Sequence, residues 1–403
     1  MSSQPKSEIP GDTSRARTFI VLMGVVAMFG DMTYEGARGL VGPYLALLGA
    51  SATAVGFAVG FGEFLGYGLR LFSGWLGDRT RAYWPLVIFG YSINFLAVPG
   101  LALVGSWEGA IALILLERIG KAVRSPSRST LVSFAASQAG MGKSFGLEEA
   151  LDQIGAVSGP LLTALVIWVL RAEPIEERYR AAFLVLLLPV FLNVGLVLLA
   201  RRRFPTPESF EAEERPSSHL GSLFGWYVVA SMLVGLGFAD WALLAYHAAR
   251  TSLFQLSMLP ILYAGAMAVD AVAALLLGHL FDRVGLVALA IGVFASALAA
   301  PLVFLHPTSF GLVLGAVVWS VGLGAQDSVF KAALAALVPK AQRARAYGSF
   351  YALFGLAWWV GSTLMGWLYD RSVLGLVVFS STTQLLAVPI FLILARRLQR
   401  AAP

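Results

Sequence analysis

The sequence predicts an all-α membrane protein with 12 transmembrane helices in two pseudo-symmetric six-helix bundles and both termini on the cytoplasmic side. Three observations predict it. Of the 403 residues, 58% are hydrophobic and only 13% are charged, where a soluble chain carries about 25% charged residues. The apolar residues fall into runs long enough to cross a bilayer, which takes about 20 residues per helix. The six residues from Gly74 to Arg79 (GWLGDR) return as Gly278 to Arg283 (GHLFDR), 204 residues later. Each copy ends a long apolar run in an Asp-Arg pair, and self-similarity at half the chain length implies two related halves.

The elements follow in order. Residues 1–17 are a polar tail ending in Arg15 and Arg17. The run 18–40 is long and shows no small-residue cleavage site near its end, so it reads as a first span and not as a removed leader. Run 52–76 carries the first repeat, runs 84–104 and 108–128 follow, run 145–170 opens on three acids, and run 181–200 stops at Arg201, Arg202 and Arg203. These six make the first bundle, 18–200. The longest polar break, 201–221, separates it from the second bundle, 222–395. That bundle holds runs 222–246, 256–280, 285–305, 310–332, 346–369 and 374–395, before a tail at 396–403. All are read as helices, because an open sheet leaves its backbone unsatisfied in lipid and the runs are too long for barrel strands.

Charge sets the orientation. With both termini inside, inner loops and tails hold 19 Lys and Arg and outer loops hold five. The positive-inside bias therefore predicts cytoplasmic termini in a plasma (cell inner) membrane. The net charge of +6 is read as loop charge facing a membrane surface, not as a nucleic-acid footprint. There is no Cys, no phosphate-binding glycine loop and no metalloprotease or serine-hydrolase motif, and the four His residues are scattered. An enzyme, a metal site and a cofactor are not expected.

The repeat extends beyond the hexapeptide: at an offset of 202, Gly146 matches Gly348, Ala150-Leu151 matches Ala352-Leu353, and Gly159 matches Gly361. Gly278, Leu280, Asp282, Arg283 and Gly285 fit the GxLxDRxGR signature of the major facilitator superfamily, which this chain resembles over nearly its whole length. The first copy keeps Gly74, Leu76, Asp78 and Arg79 but has Arg81 where the second Gly is expected. Gly146, Gly155 and Gly159-Pro160 are similar to the family's antiporter signature in span 5, with Thr163 in place of the last Gly. Span 4 has Arg118 where many members carry a cavity Arg, without the Gln-Gly that usually follows. The resemblance implies a central cavity lined by spans 1, 4, 7 and 10. It also implies a cytoplasmic gate in which Asp78, Arg79, Asp282 and Arg283 hold the inner end shut and part as the halves rock; plain helix capping is the alternative.

Fifteen ionisable residues, Glu63, Arg70 and Asp270 among them, fall within or at the ends of the spans. Each costs ~3 kcal/mol at a helix centre, roughly 45 kcal/mol if all were central and unpaired. They must pair, face water or hold a proton. Asp31, Glu35 and Arg38 are spaced four and three apart on one helix face, with Tyr34 beside them. Repulsion between carboxylates on adjacent turns favours one of them holding a proton. Asp31 or Glu35 is the expected coupling site; the alternative is a structural Glu35–Arg38 pair. On span 4, Glu117 and Lys121 can neutralise each other, leaving Arg118 about 16 Å from the outer helix end to hold a substrate or counter a span-1 carboxylate.

Asp240 on span 7 has only His247 as a local basic neighbour and is read as a further proton or substrate contact. Asp327 and Lys331 on span 10 form a local pair or an inner-gate contact. Glu148, Glu149 and Asp152 reach towards Arg124, Arg128 or Arg283 as part of the gate, or simply cap span 5. Trp241, Trp319 and Trp358 lie deep enough to stack on an organic substrate, with lipid or helix packing as the alternative. The expected function is proton-coupled secondary transport of a small organic molecule by a monomer in the lipid bilayer, with efflux by antiport favoured by the span-5 glycines. An uptake symporter for an organic anion is the second reading, and a non-transporting sensor or scaffold the third.

Overall fold

The structure is a computed structural model describing residues 10–139, 141–206, 222–252, 254–306, 308–337 and 343–401. Among these residues there are sixteen α-helices and no strand. The first half holds α1 (Pro10–Leu47), α2 (Ala52–Thr80), α3 (Tyr83–Gly100), α4 (Trp107–Ala139), α5 (Met141–Val169), α6 (Ile175–Val185) and α7 (Leu187–Arg203). The second holds α8 (Ser222–Gly237), α9 (Trp241–Thr251), α10 (Leu259–Val284), α11 (Leu286–Ala297), α12 (Ala299–Phe304), α13 (Ser309–Gly324), α14 (Phe330–Leu337), α15 (Arg343–Arg371) and α16 (Val373–Ala401). The polar break at 207–221 lies outside the described residues.

Ten helical stretches among the described residues are long and apolar enough to cross a membrane, counting α6–α7, α8–α9, α11–α12 and α13–α14 as continuous. Two of the expected apolar runs are not among them. α4 carries Glu117, Arg118, Lys121, Arg124 and Arg128 along one stretch, and α15 is rich in Gly, Ser, Trp and Tyr, which count weakly as apolar.

Some expected runs are broken. α8 ends at Gly237, and Asp240 starts α9 as its N-cap, accepting from the Ala242 N–H at 3.0 Å. Ala325–Val329 form a π-helical turn between α13 and α14. Both repeat motifs end at a positive φ: α2 at Arg81, in the left-handed region with φ 55° and ψ 18°, and α10 at Gly285 with φ 60° and ψ -137°. The chain thus keeps a positive φ where the motif's glycine is missing, at a cost of about 1 kcal/mol for a residue with a Cβ.

The internal repeat is also a repeat of contacts. A Cβ on Gly159 of α5 would lie 2.1 Å from the carbonyl oxygen of Met32 in α1, and a Cβ on Gly361 of α15 would lie 2.1 Å from that of Leu236 in α8. Helix backbones therefore touch at matching places in both halves, as packing in lipid favours. Across the halves, α2 lies along α15 and α5 along α10. The aromatic side chains of Tyr227, Phe330, Phe350 and Phe354 stack into the core of the second half.

Candidate functional site: a charged cavity between the halves

A cavity of about 570 Å³ lies between the two halves. It is lined by the middle of α1, the second half of α2 and α4, and the first half of α5; opposite stand α10, the π-turn and α15. Among the described residues, eight carboxylates and five basic side chains face it, and those five bases come from the first half. A wall this polar within apolar helices cannot face lipid; it is built to hold water, ions or a polar solute.

The cavity floor is a charged layer. Arg38 donates to Asp240 Oδ2 at 3.1 Å, joining the first half to the second, and lies 3.8 Å from Glu35. Tyr263 of α10 donates its hydroxyl hydrogen to Glu35, a second bond across the halves. Arg118 makes a 2.8 Å ion pair with Glu63 of α2, a longer one of 3.7 Å with Glu117, and donates to the Tyr34 hydroxyl. Lys121 sits 3.4 Å over the Tyr34 ring. Below this layer lies a second cavity of only about 30 Å³, lined in part by Glu117, Arg118 and Asp240.

The end beyond the floor is sealed by bonds between the halves. Asp370 of α15 accepts from the Thr53 N–H at 2.9 Å and the Thr53 hydroxyl at 2.6 Å, and from the Ala52 N–H at 3.2 Å. It thereby caps α2 from the other half. Tyr246 donates to the Ala50 carbonyl and Tyr179 to that of Leu256, both at 2.9 Å. The cavity is thus closed where α1 ends, and its lining runs towards the end where α1 begins.

The sequence-derived candidates are dispersed by this geometry into distinct places. Asp31, Tyr34, Glu35, Arg38, Lys121 and Trp358 line the main cavity. Trp241 and Trp319 do not: both are fully buried, 5.6 Å apart between ring centroids, with the Trp319 indole bonded to the Ala239 carbonyl. They are core residues, because the break before α9 turns Trp241 inward onto Tyr263. Glu117 pairs with Arg118, its chain neighbour, and not with Lys121. Asp240 finds its cation 202 residues away in Arg38, while His247 bonds Tyr369.

Glu148 and Asp152 both pair with Arg128, at 2.9 and 3.3 Å, inside the first half. Asp78, Arg79, Asp282 and Arg283 are exposed and make no ion pair among the described residues; Asp78 accepts from Tyr83. Asp327 lines the cavity from the π-turn, and the side chain of Lys331 lies outside the described residues. Sequence reasoning missed Tyr263 and Gln326, which no local pattern marks. Glu63, Arg70 and Asp270 stood out only as intramembrane charges.

A family model, Major Facilitator Superfamily, matches residues 20–286. The chain belongs to the Major Facilitator Superfamily. It is a multi-pass membrane transporter of a small molecule, not an enzyme. An uncharacterized protein of Mycobacterium tuberculosis is 39% identical over 394 residues, 96% of this chain and 94% of that one. The multidrug resistance protein MdtH of Photorhabdus laumondii is 32% identical over 127 residues, 31% of this chain and 30% of that one. Among solved structures, a peptide transporter POT in complex with sulfate superposes with a TM-score of 0.74 at 14% identity, covering 95% of this chain and 94% of the other. The nucleoside transporter NupG gives 0.70 at 15% identity, covering 95% and 98%. At these identities the likeness is one of fold.

Proposed function

We infer that this transporter couples protons to the export of a small organic molecule by antiport, as a monomer with 12 spans and cytoplasmic termini in the cell inner membrane. The observation that carries the reading is the Arg38–Asp240 pair, which ties the halves together at the cavity floor beside Glu35. A proton on Asp240 removes the charge that holds Arg38. The bond between the halves then weakens, and Arg38 falls back on Glu35. A substrate or proton event in the cavity is in this way converted into freedom of one half to rock against the other.

The positive-inside bias of 19 to five assigns the cytoplasm to the end where α1 begins, so the cavity faces inward in this state. The exposed repeat motifs fit that assignment: a gate at that end is apart when the cavity opens there. Closing it would bring Asp78, Arg79, Asp282 and Arg283 against the opposite half. The partial likeness to a multidrug resistance protein and the span-5 glycines favour export. The anion-uptake reading ranks second, because Arg38 and Arg118 already engage carboxylates and acids outnumber bases around the cavity.

The test is flux in proteoliposomes under an imposed pH gradient, with a panel of organic cations, anions and sugars. Accumulation of a solute against its gradient, on the side from which protons leave, is the expected result. Flux that ignores the pH gradient for every solute rejects proton coupling.

A further inference from the structure

The two walls of the cavity differ in kind. Arg38, Arg70, Lys121, Arg124 and Arg128 all stand on the first half, interleaved with acids. The facing wall, on α10, the π-turn, α14 and α15, presents Asp270, Gln326 and Asp327 among Phe330, Phe354 and Trp358, with no basic residue among the described side chains. Three buried polar atoms on this wall have no hydrogen-bond partner among the described residues: Asp270 Oδ1, Gln326 Oε1 and Trp358 Nε1. Asp270 and Gln326 are only 3% and 6% exposed, so water does not readily compensate them.

The backbone presents these groups deliberately. Gly324 lets the π-turn approach α10 so closely that a Cβ there would lie 2.7 Å from the Asp270 carbonyl oxygen. The turn then carries Gln326, whose Nε2 is taken by the Gly322 carbonyl at 3.2 Å, leaving its Oε1 as the open acceptor. π-turns of this kind recur at functional sites. Asp327 already has an interaction of its own, which leaves Asp270 and Gln326 as the open acceptors.

We propose that this wall is the recognition site for an organic cation that carries N–H donors on an aromatic or apolar body. Its ammonium or iminium N–H groups satisfy Asp270 and Gln326, and its body lies on Trp358 and Phe354, where the ring faces add cation–π attraction. This names the substrate class and rests on the transporter reading above, but not on proton coupling. The preference for donors follows from the two open acceptors on that wall, and the preference for positive charge from one of them being a carboxylate.

Equilibrium binding of rhodamine 6G to the full chain in detergent, read by fluorescence polarisation, tests it without any gradient, so a failure of proton coupling leaves the readout untouched. Fluorescein, an anionic dye of the same ring system, is the control. Rhodamine 6G is expected to bind saturably and more tightly than fluorescein. Asp270→Asn should weaken it about ten-fold or more, as expected for loss of a charge-assisted hydrogen bond, and Asp270→Glu should restore most of that loss. Gln326→Leu, which keeps the charge balance, should weaken it less than Asp270→Asn, and it decides the matter if Asp270→Asn is not monodisperse. Equal or tighter binding of fluorescein, no saturable rhodamine 6G binding, or unchanged affinity in the folded variants overturns the assignment.

Discussion

Replacing Asp240 by Asn removes the acceptor charge of the one ion pair described between the halves at the cavity floor. Its partner Arg38 lies 3.1 Å away, and the two side chains are 11% and 3% exposed, so solvent compensates little. Truncating one member of a buried pair costs about 3–5 kcal/mol when the other charge is stranded. Arg38 is not stranded, because Glu35 stands 3.8 Å from it. The loss is then closer to that of one charge-assisted hydrogen bond, about 2 kcal/mol. Applied to an equilibrium between inward- and outward-facing states, about 2 kcal/mol shifts the population ratio roughly 30-fold.

The chain has no cysteine, so spin labels can be placed without background. Ala172→Cys and Arg371→Cys put exposed labels on the two halves at the sealed end. Pulsed electron–electron distance measurements should give a single short distance for the parent. Asp240→Asn should add a longer population. An unchanged distance distribution in Asp240→Asn would refute the claim that this pair holds the halves together.

Four further outcomes follow from the same geometry. Asp370→Ala removes the cross-half cap of α2, about 1 kcal/mol, and should shift the same label pair outward by a smaller fraction than Asp240→Asn. Arg118→Ala leaves Glu63 buried without its partner and should cost about 3–5 kcal/mol, lowering the thermal midpoint in detergent, whereas Arg118→Met with Glu63→Gln should recover much of the loss. Gly159→Val and Gly361→Val should destabilise to similar degrees, since their Cβ atoms would meet carbonyl oxygens at the same 2.1 Å; a clear difference in melting would contradict equivalent packing in the halves. Arg81→Gly should raise the thermal midpoint, because it relieves a positive φ worth about 1 kcal/mol.

What the sequence made legible was whatever repeats or is local. The Asp-Arg hexapeptides mark matching helix ends, and Gly159 and Gly361 announce a backbone contact that recurs in both halves. The face shared by Asp31, Glu35 and Arg38 follows from spacing alone. Illegible were partners set by the packing of one half on the other. Asp240 looks unpaired along its own helix, yet Arg38 reaches it across the interface. Tyr263 reads as one more buried aromatic until its hydroxyl is found on Glu35. Trp241 and Trp319 have the composition of a substrate shelf, but the helix break at Asp240 turns them into core. The Asp370 seal is equally silent in sequence, since an Asp at a helix end normally signals only a solvated turn.

The central claim is that substrate and protons share one conformational switch in which Arg38 and Asp240 take part. Proteoliposomes loaded with a pH-sensitive dye and given a substrate gradient test it most directly. Substrate leaving by the transporter should drive protons the opposite way in the parent protein, and Asp240→Asn should exchange substrate without moving protons. Proton flux of equal size in the parent and in Asp240→Asn would contradict the account, as would substrate flux in the parent with no proton movement at all.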